Sequence, residues 1–230
     1  MKKILIVGAL ITTFASYYPI ANAQANNSAH FELTAQTGFG GINTPAIDAY
    51  NTDGFVHIKN TDLQKGMSWR VAGAWLFDAD PKFLWGPEFG YSKVPSNIYT
   101  TTASNFTPAT AKITWSSVYF DFLLAARYNI VPNVDFICKL GMADILQNVK
   151  ISDGVNPDIK NSDATFAPEF VMGAGYNLTA HLLLNFTYNI VVADHIDTNF
   201  SNVTNLNAQG DDAGKVATIS TYLFGVTYLF

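Results

Sequence analysis

The sequence predicts an all-β chain, an eight-stranded antiparallel up-and-down transmembrane β-barrel with short turns at one end and four long loops at the other. Three observations predict it. Apolar residues recur at every second position through eight segments, which is the period of a strand with two unlike faces. The connections between these segments alternate between short and long. The chain is also poor in charge and rich in rings: 13% of its 230 residues are charged, and it holds 17 Phe, 11 Tyr and 4 Trp. Average globular chains carry roughly 25% charged residues.

The same composition excludes other classes. A disordered chain would be polar and poor in aromatics. With 13 basic residues against 18 acidic ones and a net charge of -5, the chain lacks the cationic surface that nucleic acid requires. Cys138 is the only cysteine, so no disulfide can form within the chain.

Residues 1–23 read as a secretory signal peptide and residues 24–230 as the barrel domain. Lys2 and Lys3 form a positive start, an apolar run follows, and Ala21, Asn22 and Ala23 give the small-x-small pattern of a cleavage site. Cleavage there would leave Gln24 as the first mature residue. The apolar run is shorter than the roughly 20 residues of a spanning helix.

The eight segments fall at residues 31–40, 66–77, 83–92, 113–128, 134–147, 165–176, 181–192 and 217–230. The last is the clearest. Tyr222, Phe224, Val226, Tyr228 and Phe230 fall on one face, and Thr221, Leu223, Gly225, Thr227 and Leu229 on the other. Most segments reach the 9–11 residues of a tilted transmembrane strand. The connections near 78–82, 129–133 and 177–180 are tight and carry Asp, Pro and Asn turn chemistry. Those near 41–65, 93–112, 148–164 and 193–216 are long and rich in Asn, Thr, Asp and Gly. Outer-membrane barrels alternate in this way, with short periplasmic turns and long extracellular loops. An even strand number then places both chain ends on the periplasmic side. Pro87 and Pro168 interrupt two segments and mark bulges or unpaired positions.

The bulk of the apolar face decides which side meets lipid. It carries Trp69, Trp75, Trp85, Phe89, Phe120, Phe122, Phe170, Phe186 and Phe224. An eight-stranded interior is only wide enough for side chains to fill, so these rings would overpack it. The opposite face holds Gly, Ala, Ser, Thr and a few charges, which suits a narrow polar lumen. Tyr50, Trp69, Phe77, Phe83, Tyr91, Trp115 and Tyr128 gather near strand ends, as interfacial girdles do. Cys138 falls on the lipid face as a small hydrophobe.

On these features the chain resembles the eight-stranded outer-membrane barrels of Gram-negative bacteria: the OmpA transmembrane domain, OmpX, OmpW and the opacity proteins. The sharpest local match is the C-terminal stretch Tyr222 to Phe230. The resemblance implies that Phe230, with Tyr228, Val226, Phe224 and Tyr222, is read by the barrel-assembly machinery. It implies location in the bacterial outer membrane among lipid and lipopolysaccharide, as a monomer. No peptidoglycan-binding segment like that of OmpA is expected after Phe230.

The register turns seven charged residues inward. Glu32 and Arg127 lie near the periplasmic end, while Arg70, Glu88, Asp121, Lys139 and Glu169 form one layer at mid-depth. Counting from the hairpins puts Arg70 diagonal to Glu88 and Asp121 diagonal to Lys139, within reach of long side chains. Charges at this depth must be paired or hydrated. The expected result is a salt-bridged plug that closes the lumen. A narrow gated channel, or an OmpW-like path for small solutes lined by Leu183, Ile219 and Leu223, is the alternative. Wide aqueous channels need about 16–18 strands.

No enzyme activity, cofactor or metal is expected. His57 and His195 fall in long loops with Asp53, Asp194 and Ser201 nearby in sequence, where a solvated histidine is the ordinary case. Asp48, Asn51 and Asp53 lack EF-hand spacing. The expected role is structural or surface-exposed: envelope integrity, or adhesion to a host or surface ligand through the loops.

Overall fold

The computed structural model describes residues 29–43, 56–103, 110–152, 159–194 and 216–230. The predicted cleavage site at Ala21, Ala23 and Gln24, together with Tyr50, Asp48, Asn51, Asp53, His195 and Ser201, lies outside the described residues.

Among the described residues the chain is all strand: β1 (Ala29–Ile42), β2 (Val56–Lys65), β3 (Ser68–Asp80), β4 (Phe83–Ala103), β5 (Thr110–Val131), β6 (Val134–Ser152), β7 (Ile159–Asn177), β8 (Leu182–Val191) and β9 (Ile219–Leu229). All pairings between these strands are antiparallel. β1 pairs with both β3 and β9, and β4 pairs with β5, so the sheet closes on itself. Eight staves make the ring. β2 is the outward continuation of the β3 stave, since Lys65 faces Ser96 of β4 just beyond the Trp69–Lys93 pair. Gly66 separates the two with a φ of 117°, a left-handed turn that L side chains disfavour. Closure removes every free edge in the ring, which lipid demands because it offers the backbone no hydrogen bonds.

The turns at the end carrying Ala29 and Phe230 are tight. Asp80 accepts from the Lys82 backbone N–H at 2.9 Å in the β3–β4 turn. Asn133 takes the left-handed conformation, φ 67°, in the β5–β6 turn, a position Asn tolerates. The C-terminus closes the ring: the Phe230 N–H donates to the Phe31 carbonyl at 3.0 Å, and the Phe31 ring makes tilted contacts with both Trp75 and Phe230.

At the other end the strands outrun the expected boundaries. β2 occupies part of the first long connection. β4 and β5 run on to Ala103 and from Thr110, and β6 and β7 reach Ser152 and Ile159. Most of the connections expected at 93–112 and 148–164 are therefore paired strand. Beyond the membrane both faces meet water, so no apolar alternation is needed, and threonine-rich strand such as Thr100–Thr101–Thr102 escapes a test of hydrophobic period. The result is lopsided. β1, β8 and β9 stop near the membrane, while β2, β4, β5, β6 and β7 continue outward as one sheet.

The lipid face is as expected. Trp69, Trp75, Trp85, Phe120, Phe122, Phe170, Phe186 and Phe224 are exposed, as is Cys138. Outward residues from Phe136 to Leu146 rise roughly 25 Å at the usual strand rise and tilt, the height of an outer-membrane apolar band. Pro87 lies where the β3–β4 pairing skips from Ala74–Glu88 to Phe77–Trp85, and Pro168 lies where β7 parts from β8. Trp115 departs from expectation. It is 3% exposed and points into the lumen, not into a girdle. The reason is register: it shares the inward face with Ser117, Tyr119 and Asp121.

The lipid face yields a depth test. Replacing Phe122, at mid-band, with Arg should lower unfolding stability by about 2–4 kcal/mol, whereas Ser116→Arg, above the band, should cost less than about 1 kcal/mol. Guanidinium titration of protein refolded in phosphatidylcholine vesicles measures both.

Candidate functional site: the filled lumen

Small residues on neighbouring strands let the inward charges meet. Arg70 on β3 faces Ser92 of β4, yet its guanidinium reaches Asp121 on β5. It crosses β4 over Gly90, where a Cβ would stand 2.6 Å from both Arg70 Nη2 and the Asp121 carboxylate. Lys139 on β6 likewise passes its register partner Ala125 on β5 and reaches Glu88 on β4.

The bonds run as a chain. Arg70 Nε donates to Asp121 Oδ2 at 3.1 Å and Nη2 to Oδ1 at 2.6 Å. Nη2 also donates to Glu88 Oε1 at 2.7 Å. Lys139 Nζ donates to Glu88 Oε1 and Oε2 at 2.8 and 2.6 Å. All four side chains are buried. Glu88 is thus shared by two cations. The expected Arg70–Glu88 contact forms, whereas the expected Asp121–Lys139 contact is replaced by Asp121–Arg70 and Lys139–Glu88. The arginine's forked donors suit two carboxylates at once.

Glu169 occupies the same cross-strand row as Glu88, through Leu123 and Gly141. It is 0% exposed, and neither carboxylate oxygen has a hydrogen-bond partner among the described residues. Arg70 Nη1 is likewise unbonded.

A second ionic group lies toward the periplasm. Arg127 Nη1 is 2.7 Å from Glu32 Oε1, and its Nε is 3.4 Å from Asp135 Oδ2. Asp135 also accepts from Asn129 and Asn177 at 2.8 and 2.9 Å. Glu32 and Arg127, expected only to share the periplasmic end, are in contact, and Asp135 is the member the sequence reading missed. Its signal was its place on the inward face, two residues before Ile137. Between the two ionic groups runs a neutral network. Gln36 Nε2 donates to Asn185 Oδ1 at 2.7 Å and Thr187 Oγ1 at 3.0 Å. Asn185 Nδ2 donates to Thr227 Oγ1 at 2.9 Å, and Thr227 contacts Thr34 at 2.8 Å. A cavity of about 20 Å³ remains here, room for about one water. A wider cavity of about 210 Å³ opens at the periplasmic mouth beside His30, Asp78, Lys82 and Arg127.

Above the mid-depth chain the interior becomes apolar. Trp115, Tyr119, Ile145, Val191 and Ile219 pack with Ile42, Val94 and Ala217 into one buried cluster. Polar side chains are interspersed with it: Asn97 donates to the Ile42 carbonyl at 2.8 Å, and Gln147 Oε1 accepts from the Ala217 N–H at 3.1 Å. Leu183, Ile219 and Leu223 are all buried, but Thr221 and Thr227 alternate with the two β9 members. They do not form a continuous apolar lining.

Tyr222, Phe224, Val226, Tyr228 and Phe230 all face outward and are exposed. Of the histidines, His30 Nε2 lies 3.2 Å from Asp78 and His181 Nδ1 lies 3.0 Å from the Leu229 carbonyl oxygen.

The ionic chain makes a prediction. Glu88→Gln should destabilise the barrel by about 3–5 kcal/mol, because it strips Lys139 and half of Arg70 of their counter-charge. Gly90→Ala should break the Arg70–Asp121 crossing and lower stability in the same direction. Denaturant unfolding from vesicles, with Lys139→Gln added to Glu88→Gln to reveal non-additivity, measures the coupling.

No curated protein matches the sequence. Among solved structures, the attachment invasion locus protein Ail of Yersinia pestis is similar at 11% identity over 88% of this chain and 99% of its own, with a TM-score of 0.47. Neisserial surface protein A is similar at 10% identity over 88% and 98%, with a TM-score of 0.43. OprG of Pseudomonas aeruginosa is similar at 11% identity over 86% and 95%, with a TM-score of 0.40. The family described as outer membrane protein beta-barrel domain matches residues 8–230. With an all-antiparallel ring of eight staves faced in aromatic and aliphatic side chains, the chain belongs to that family of bacterial outer-membrane barrels.

Proposed function

We propose that this barrel is a closed outer-membrane protein with a structural or surface role: envelope integrity, or adhesion through its extracellular face. One observation carries the reading. The lumen is filled along its length, by Arg127–Glu32, by the Asp121–Arg70–Glu88–Lys139 chain, and by the apolar cluster around Trp115 and Tyr119. A water column needs continuous polar space, and the cavity beneath the ionic chain holds about one water. The strands that continue outward on one side offer a built surface beyond the bilayer. The reading is non-enzymatic and takes no cofactor, with His30 and His181 engaged by Asp78 and the Leu229 carbonyl in place of a serine hydroxyl.

The refolded wild-type chain is expected to show no steady conductance in planar bilayers. Lys139→Ala or Asp121→Ala, which each cut the ionic chain, should yield brief openings at most, because the apolar cluster remains. Steady wild-type current altered by either substitution would instead make the ionic chain a permeation site.

A second reading, a narrow gated channel, is favoured by one specific observation. Among the described residues the buried Glu169 carboxylate and Arg70 Nη1 both lack a hydrogen-bond partner, so a guanidinium moving from Asp121 to Glu169 would exchange one carboxylate for another. The same recording with Glu169→Gln distinguishes the two: openings lost in that variant belong to a gate.

The export and assembly roles belong to this reading as well. Residues 1–23 act as the signal peptide, with Ala21 and Ala23 before the cut and Gln24 after it, and the outward C-terminal ladder ending at Phe230 engages the assembly machinery. Deleting Phe230 should slow membrane insertion in cells while leaving unassisted refolding into detergent near wild type. Pulse-chase of the heat-modifiable folded form measures the first and gel mobility the second.

A further inference from the structure

The lipid face of this barrel carries two opposite charges. Among the described strand residues, from the tight turns up to the level of Leu146, every outward side chain is uncharged except Lys93 on β4 and Asp144 on β6. Each alternates in phase with the lipid-facing residues of its own strand, Tyr91 below Lys93, and Met142 and Leu146 on either side of Asp144. Lys93 is exposed and Asp144 half-buried. Neither has a hydrogen bond or an ion pair among the described residues. Charge on a lipid face costs more the deeper it lies, and ionisable groups at membrane depth normally pair or reach water.

The two stand at one level. Lys93 lies ten residues beyond Phe83, where β4 leaves its tight turn, and Asp144 lies ten beyond Val134, where β6 leaves its own. The register gives the same result. Followed once round the ring from Phe83, cross-strand partners return to β4 at Lys93, ten residues higher. Each row therefore climbs by a little over one residue per stave, the stagger that closing a tilted sheet requires. The row through Lys93 meets β6 at Leu146, so the outward β6 residue level with Lys93 is Asp144, two residues lower. β5 runs between the two strands, and Phe120 is its outward residue at that level. With β4 and β6 two staves apart in a ring of eight, their outward side chains diverge by about a quarter turn.

A second copy of the chain satisfies both charges. A two-fold axis along the membrane normal, passing beside Phe120, sets Lys93 of each copy opposite Asp144 of the other, the reciprocal contact of an isologous interface. The surface between the charges suits such a contact. Phe120 and Phe122 are 52% and 53% exposed. Each is held by a ring of β4, Phe120 by Tyr91 and Phe122 by Phe89, at centroid separations of 4.8 Å. Aromatic side chains are the usual anchors at the centre of an interface. A two-fold mate presents the same two charges at the same depth in reversed order, which is the complement this face requires.

We propose that the outward face of β4–β6 pairs two copies of this barrel within the membrane, with Lys93 of each copy bound to Asp144 of the other and Phe120 at the axis. The family resemblance implies a monomer, and this face departs from that. The pairing is independent of whether the lumen is closed or gated.

The test refolds donor- and acceptor-labelled mature chains together, with dyes on the N-terminal amine, into phosphatidylcholine vesicles at falling protein-to-lipid ratios. Energy transfer then gives the dissociation constant in the bilayer. Wild type should keep its transfer on dilution beyond the level of random crowding. Lys93→Asp alone and Asp144→Lys alone should each weaken self-association by about 100-fold or more, since each sets like charges together. Donor-labelled Lys93→Asp mixed with acceptor-labelled Asp144→Lys should associate as wild type does, because the mixture restores both pairs. Heat-modifiable gel mobility establishes that every variant is folded. A second measurement needs no charge reversal. In a Cys138→Ala background, Phe120→Cys should give a disulfide-linked dimer under mild oxidation, whereas Tyr222→Cys, on the opposite wall, should not. Wild type monomeric at every dilution, transfer indifferent to Lys93→Asp, no rescue on mixing, or equal cross-linking through Tyr222→Cys overturns the proposal. The first of these would leave the two charges to lipid headgroups or to a different membrane protein.

Discussion

Everything in this molecule follows from closing a sheet of eight strands on itself. Lipid leaves the backbone no other hydrogen-bond partner, so the ring must be complete. Eight staves then fix a lumen only as wide as the side chains that enter it. Whatever points inward must interlock with what points inward from across the ring. The ionic chain is a consequence of that narrowness: Arg70 and Asp121 sit on strands separated by β4, and they meet because Gly90 leaves the space between them empty.

Buried ion pairs are a costly way to fill a core. Well-packed apolar residues often serve as well or better, and much of the outer half of this same lumen is filled that way. What the ionic chain adds is a tie across four consecutive staves. A one-residue slip of β4 would carry Glu88 from the lumen to the lipid and strand both of its cations. The apolar cluster excludes water but tolerates exchange of one hydrophobe for another. The ionic chain tolerates no such exchange, so each half of the lumen contributes something the other lacks.

Much of this was legible in the sequence, and the boundary of legibility is physical. A period of two assigns faces, so the inward position of Arg70, Glu88, Asp121, Lys139, Glu169, Glu32 and Arg127 could be read, as could the outward ladder from Tyr222 to Phe230. It does not assign partners. Diagonal counting considers adjacent strands only, and Lys139 passes over Ala125 to a strand two away. Asp135 and the Gln36–Asn185–Thr227 network went unseen because polar residues on an inward face look alike until the ring is closed. Trp115 sits near a strand end, as girdle residues do, but its phase turns it into the lumen. The outward extensions of β4 to β7 were hidden for a different reason: strands that have left the membrane no longer need an apolar face.

Those extensions bear on how the molecule could be used. Thr102 and Thr110 are register partners at the top of the β4–β5 pair, so the two ends of the intervening segment are already held a strand's width apart. A foreign peptide grafted there would start and finish on paired backbone well clear of the bilayer. Its ends would cost no further closure entropy, because the hairpin has already brought them together. The lumen, the lipid belt and the C-terminal ladder would all lie outside its reach. The tall wall of this barrel is thus a ready mast for carrying an epitope on the surface of a bacterial cell.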